Sequence, residues 1–219
     1  MSLHTLRRAL TVAILLAVVS PRAAAGQDAP VTPAPAPSET EQSRIAAAAK
    51  FLAGGALGLA AHESGHLLFN VAFGADPSLK RVNFHGIPFF AISHRSDLPR
   101  RQEFVISSAG FWVQHAGSEW ILTRRPRVRS ERAPVTKGIL AFNVLASGAY
   151  AGAAFARTGP DERDTRGMAV TSRLDERWIG ALILAPAVFD AWRYYRPDVV
   201  WIKWASRAVK TGMVILIVR

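Results

Sequence analysis

Cysteine is absent from the 219 residues. No disulfide can staple this chain and no thiolate can hold a metal, so any metal site must draw on imidazole and carboxylate. Carboxylates are themselves scarce, 16 against 27 lysines and arginines, for a formal charge of +11. A surplus of that sign raises nucleic acid as a partner, but no nucleic-acid-binding motif accompanies it. The charge is also unevenly placed. Arg124, Arg125, Arg127, Arg129, Arg132 and Lys137 crowd one short segment in which Glu131 is the sole acid. Set between apolar blocks, such a segment reads as an anchor for lipid phosphate headgroups, with a merely solvated basic loop as the alternative. Internal repeats are lacking too, which excludes solenoids and propellers.

Apolar residues are abundant. They make up 50% of the chain, and mean hydropathy is +0.14. They fall in blocks of about one membrane span separated by short charged loops. The pattern predicts a mostly α polytopic membrane bundle with a small β-hairpin insert after its first span; a soluble all-α bundle is the alternative.

Residues 1–25 have Arg7 and Arg8 before an apolar core and end in Ala23-Ala24-Ala25, the layout of a secretory signal peptide or, uncut, of an anchor. Residues 26–44 form a Pro/Ala-rich linker carrying Pro30, Pro33, Pro35 and Pro37. The membrane-embedded domain then occupies 45–219. Its first apolar helix covers 45–74, with Gly74 as a stop and Pro77 just beyond. Short β-prone pieces around Gly86 and Pro88 predict a hairpin lying against the membrane or over a site. Further spans are expected at 104–122, 138–156 and 178–192. Residues 199–218 read as an amphipathic helix or a fifth span, with Lys203, Arg207 and Lys210 on one face. A cleaved leader would put the arginine-rich loop outside, whereas the positive-inside tendency puts it inside.

The chemistry concentrates in Leu59-Ala60-Ala61-His62-Glu63-Ser64-Gly65-His66-Leu67-Leu68-Phe69. On a helix, His62 and His66 share one face a turn apart, where both imidazoles can hold one divalent ion. Glu63 projects beside that ion and can take a proton from an attacking water, then pass it to a leaving amine. This is the H-E-x-x-H pattern of zinc peptidases, and ionisable residues inside an apolar helix usually mark function. Gly54 and Gly58 continue the histidine face at steps of four, so another helix can approach closely. A third ligand must come from elsewhere. Asp164 is the first candidate and Asp161 the second, both in the charged segment after the third span; Glu119, four residues from His115 in the second span, is the rival. His115 and Glu119 could equally orient the ligating imidazoles. Gln114 and Asn143 are candidates for binding substrate backbone or for interhelical hydrogen bonding.

These features resemble the site-2-protease-like membrane metalloproteases. The resemblance rests on His62-Glu63-Ser64-Gly65-His66 in an apolar helix, a β-prone stretch after it, Ser108-Ala109-Gly110 opening a second span, and a third span leading to aspartates. It runs over residues 45–168. It implies a Zn2+ cofactor held by His62, His66 and Asp164, with Glu63 as base. It also implies an endopeptidase acting on membrane-associated protein or peptide substrates, with membrane lipid as the other partner and no nucleic acid. The expected location is a bacterial inner (cell) membrane. The alternative function is a non-peptidase membrane protein with a structural metal or a membrane-surface role. The family's usual L-D-G turn does not occur in this chain, and the nearest string, Leu174-Asp175-Glu176, reads as a helix start.

Overall fold

The computed structural model describes residues 39–84 and 87–218. The signal peptide and most of the linker expected at 1–38 lie outside the described residues. Among the described residues there are six helices and one hairpin: α1 (Glu39–Ala72), β1 (Ser78–Phe84), β2 (Ile87–Ser93), α2 (Arg100–Arg124), a 3-10 turn (Val128–Ser130), α3 (Pro134–Ala156), α4 (Asp164–Ser172), α5 (Glu176–Tyr195) and α6 (Val200–Val218). The fold is mostly helical. β1 and β2 pair antiparallel with Ser78 opposite Ser93 and Phe84 opposite Ile87, forming the hairpin foreseen from Gly86 and Pro88.

Helix α1 begins at Glu39, ahead of the start expected at 45. No proline falls between Pro37 and Pro77, and Glu41 in the first turn suits the positive end of the helix dipole. At 34 residues the helix is about 51 Å long. Its buried side is a narrow stripe of small and polar residues: Gly54, Gly58, His62, Gly65, His66 and Asn70. Helices α2 and α3 close onto that stripe. A Cβ added to Gly58 would lie 2.7 Å from the Phe142 ring, and one on Gly65 would lie 2.7 Å from the Ala109 carbonyl oxygen. Contacts that close admit only glycine.

Among the described residues, two helices are long and apolar enough to cross a membrane: α1 from Thr40 to Ala72, and α3. The other segments expected to span, at 104–122 and 178–192, fold as α2 and α5, and 199–218, expected as an amphipathic helix or a fifth span, folds as α6; all three fall short of that measure. Gln114, His115, Ser118 and Glu119 lower the hydropathy of α2, as Asp190 and Arg193 do for α5. These residues face inward. Glu119 of α2 meets Arg193 of α5 and Arg207 and Lys210 of α6, the last two at 2.8 and 3.0 Å. Buried Asp190 takes Lys210 at 2.6 Å and Ser206 at 3.0 Å. Arg207 and Lys210 therefore dock α6 onto α2 and α5, while Lys203 on the first turn of α6 stays exposed.

Three apolar clusters fix the frame. Phe111, Ala151, Met168, Ile179 and Ile183 join α2 to α5 at the centre. Ile121, Leu122, Val128, Ala133 and Leu140 seal the arginine-rich end, and Ala75, Leu98 and Ile106 anchor the segments flanking the hairpin.

Candidate metal centre

Helix α1 presents His62 and His66, both buried, on its inner face. Their Nε2 atoms lie 3.1 Å apart. The Oδ2 of Asp164 sits 3.2 Å from the first and 3.4 Å from the second. Each imidazole is held from behind by its other nitrogen. His66 Nδ1 donates to the Ile106 carbonyl at 2.7 Å, and His62 Nδ1 donates to the Gln114 Oε1. Those bonds fix the tautomer that leaves both Nε2 lone pairs facing Asp164.

The three donors fit a small divalent ion. Ligands about 2.0–2.1 Å from a tetrahedral zinc stand about 3.3–3.4 Å from one another. The triangle of 3.1, 3.2 and 3.4 Å matches that edge. It offers two neutral nitrogens and one carboxylate, leaving a fourth direction open, as in catalytic rather than structural sites.

Asp164 is placed by a clamp. It is the first residue of α4, and its neighbour Arg163 forks onto Glu176 with both arms at 2.7 Å. Arg163 also donates to the Pro160 carbonyl at 2.9 Å, and Thr165 donates to the same glutamate at 2.8 Å. The residues on both sides of Asp164 are thus tied to one point at the start of α5. Burial alone would push the Asp164 carboxyl up. His66 and His62 beside it outweigh burial and hold it below the usual carboxylate range.

Packing around the imidazoles is close. Tyr150 stacks on His62 at 6.0 Å between centroids, and Phe111 meets the same ring edge-on at 5.4 Å. Gly110 lies under His62 so tightly that any Cβ there would overlap the ring. Glu63, half-buried and outside the donor triangle, lines a cavity of about 90 Å³ with His66, Asp164, Tyr150, Ser107, Ile92 and His94. That is room for several waters. His94 arrives from the hairpin end. Burial, opposed by Glu103 and reinforced by His66, keeps its pKa below the ordinary value.

The remaining candidates lie elsewhere or serve differently. Asp161 pairs with Arg166 at the surface, outside the donor cluster. Glu119 is taken up by Arg193, Arg207 and Lys210, so those three cations occupy the carboxylate that sequence offered as a ligand. His115 is buried with its ring bonded to the Ile183 backbone, and its Nε2 has no partner among the described residues. It packs away from the triangle. Gln114 and Asn143 are both buried and grip each other's backbone carbonyls at 3.1 and 3.0 Å. Gln114 therefore steadies His62 and locks α2 to α3, and Asn143 holds Gln114 in place. Sequence reading missed Arg163, Thr165, Glu176, Tyr150 and His94. Only Glu176 carried a signal, as an acid in the first turn of a helix.

Comparisons with family models, with curated proteins and with solved structures found no match.

Proposed function

We propose that the chain is a zinc-dependent integral membrane endopeptidase of the site-2-protease-like kind. The observation that carries this reading is the His62, His66 and Asp164 donor triangle, with Glu63 beside it on a polar cavity. A structural ion needs no base in an open cavity, whereas hydrolysis does.

The chain's own groups divide the work. His62 and His66 hold their Nε2 atoms toward the centre, fixed by Gln114 and the Ile106 carbonyl. Asp164 supplies the one negative ligand. Lewis acidity, which polarises the scissile carbonyl and eases deprotonation of the attacking water, is what zinc supplies when bound. Glu63 accepts the proton from that water and delivers it to the leaving amine. Tyr150 and His94, on the same cavity wall, are placed to meet the substrate backbone.

Membrane residence is supported by the inverted pattern of α1. Its glycines and histidines face in, while Leu52, Leu57, Leu59, Leu67, Leu68 and Val71 point out. So broad an apolar face requires a nonaqueous cover, and α1 and α3 have the length to cross a bilayer. Four or more spans follow only if α2, α5 and α6 cross beside them, shielding their polar faces from lipid through the Glu119 and Asp190 network. Substrates would then be membrane-associated proteins or peptides.

The test is hydrolysis of membrane-embedded reporter peptides by detergent-purified protein, wild type beside Glu63→Gln. The expected result is turnover in wild type and loss of at least about a hundredfold in the variant with zinc retained. Zinc retained in both with turnover in neither would favour a structural metal.

A further inference from the structure

Around the metal centre several cations pair with carboxylates, Lys80 with Glu162 at 2.5 Å, Arg163 with Glu176, Arg157 with Asp175 and Arg166 with Asp161, while Arg81 and Arg173 stay exposed without one among the described residues. At the opposite end, exposed cations that lack a carboxylate cluster within one short segment. Arg124, Arg127 and Arg132, between α2 and α3, and Lys203, on the first turn of α6, are all exposed and have no carboxylate partner among the described residues. Within the same segment Arg125 pairs with Glu131, and the nearby Arg193 and Arg207 are taken by Glu119. Free positive charge accumulated at one end of a molecule calls for an external anion.

Aromatic side chains mark the kind of anion. Trp120, Trp192, Tyr195, Trp201 and Trp204 are each more than 40% exposed, and four of them ring the junction of α5 and α6. Trp192 meets Trp201 edge-on at 5.1 Å, and Arg129 lies over the Tyr195 ring at 5.1 Å. The end is one surface, because Val128 and Leu140 pack in the same cluster as Tyr194. Tryptophan and tyrosine mixed with free arginine, where the apolar helix α3 begins, is the chemistry of the headgroup layer.

We infer that this end of the bundle is a binding surface for anionic phospholipid, with lipid phosphates on Arg124, Arg127, Arg132 and Lys203 and the tryptophans seated among the headgroups. The inference rests on the membrane reading above but not on peptidase activity. Each basic side chain at an anionic surface strengthens binding about fivefold, so removing three weakens it on the order of a hundredfold.

The experiment reconstitutes the full-length protein in nanodiscs of phosphatidylcholine containing about 30% phosphatidylglycerol and measures the phosphatidylglycerol bound per chain against its bulk share. It compares wild type with the triple variant Arg124→Gln, Arg127→Gln, Arg132→Gln. Wild type is expected to enrich the anionic lipid, and salt to screen that enrichment. The variant is expected to lose it while keeping its zinc content, which shows that the fold is intact. Equal enrichment in both proteins overturns the inference, as does insertion of wild type without lipid preference. Tight binding of a single-stranded oligonucleotide that displaces the lipid also overturns it. A wild type that stays soluble without detergent and enters no bilayer overturns the membrane reading itself.

Discussion

Arg163 and Glu176 form a two-armed ion pair, 2.7 Å on each arm and nearly buried, one residue from Asp164. Arg163 cannot move without moving the third donor. Glu176→Ala is therefore expected to weaken zinc affinity by about 10- to 100-fold, the usual cost of losing a group that orients a ligand. Competition with a chromogenic chelator measures it. Asp161→Ala, at the exposed pair with Arg166, is the control and should leave affinity within about twofold.

The same pair predicts a pH dependence. Burial alone would raise the Glu176 carboxyl, but Arg163 and Thr165 hold it below its ordinary value of 4.5. A depressed folded pKa gives stability that is present above the unfolded value and lost as pH falls through the folded one. Melting temperature should decline as pH drops below about 4.5 and decline less steeply in Glu176→Gln. Parallel curves for the two proteins would show that the pair does not govern acid stability.

Gly110→Ala should damage the site by overlap alone. The added methyl meets the His62 ring, an overpacking that costs about 1–3 kcal/mol if the helix yields and zinc if the ring yields. Gly117→Ala, on the same helix with nothing within 4 Å, should be neutral or stabilising by up to about 1 kcal/mol. Circular dichroism and metal content, read together on both variants, separate lost fold from lost site.

Glu119→Gln separates two roles for one carboxylate. Its oxygens hold Arg193, Arg207 and Lys210, so neutralising them strips the docking face of α6 of its main counter-charge. The expected cost is about 3 kcal/mol in stability, with zinc content unchanged. Zinc lost from a well-folded variant would instead make Glu119 a ligand.

How much of this was legible in the sequence depends on the range of each interaction. His62 and His66 share a face because the helix repeat puts them there, and Gly54 and Gly58 extend that face by the same rule. The hairpin was legible from Gly86 and Pro88. Asp164 was one acid among several in a charged segment, and composition could not show that this segment starts a helix. The clamp joins residues 13 apart across a loop, and no local pattern encodes it. Glu119 misleads for the same reason. Four residues from His115 it looks like half of a site, but its true partners lie 74 to 91 residues further on. The polar residues of α2 and α5 that satisfy one another inside the bundle, Glu119 with Arg193, pair across the fold, and hydropathy does not register such a pairing.

Whether His62, His66 and Asp164 hold one zinc ion is decided by zinc per chain in detergent-purified protein, compared across wild type, His62→Ala, His66→Ala, Asp164→Ala, Asp161→Ala and Glu63→Gln. Near-stoichiometric zinc is expected in wild type, Asp161→Ala and Glu63→Gln, and its loss from the two histidine variants and Asp164→Ala. A well-folded wild type that takes up no zinc when supplied with it, or an Asp164→Ala variant that binds as tightly as wild type, would contradict it.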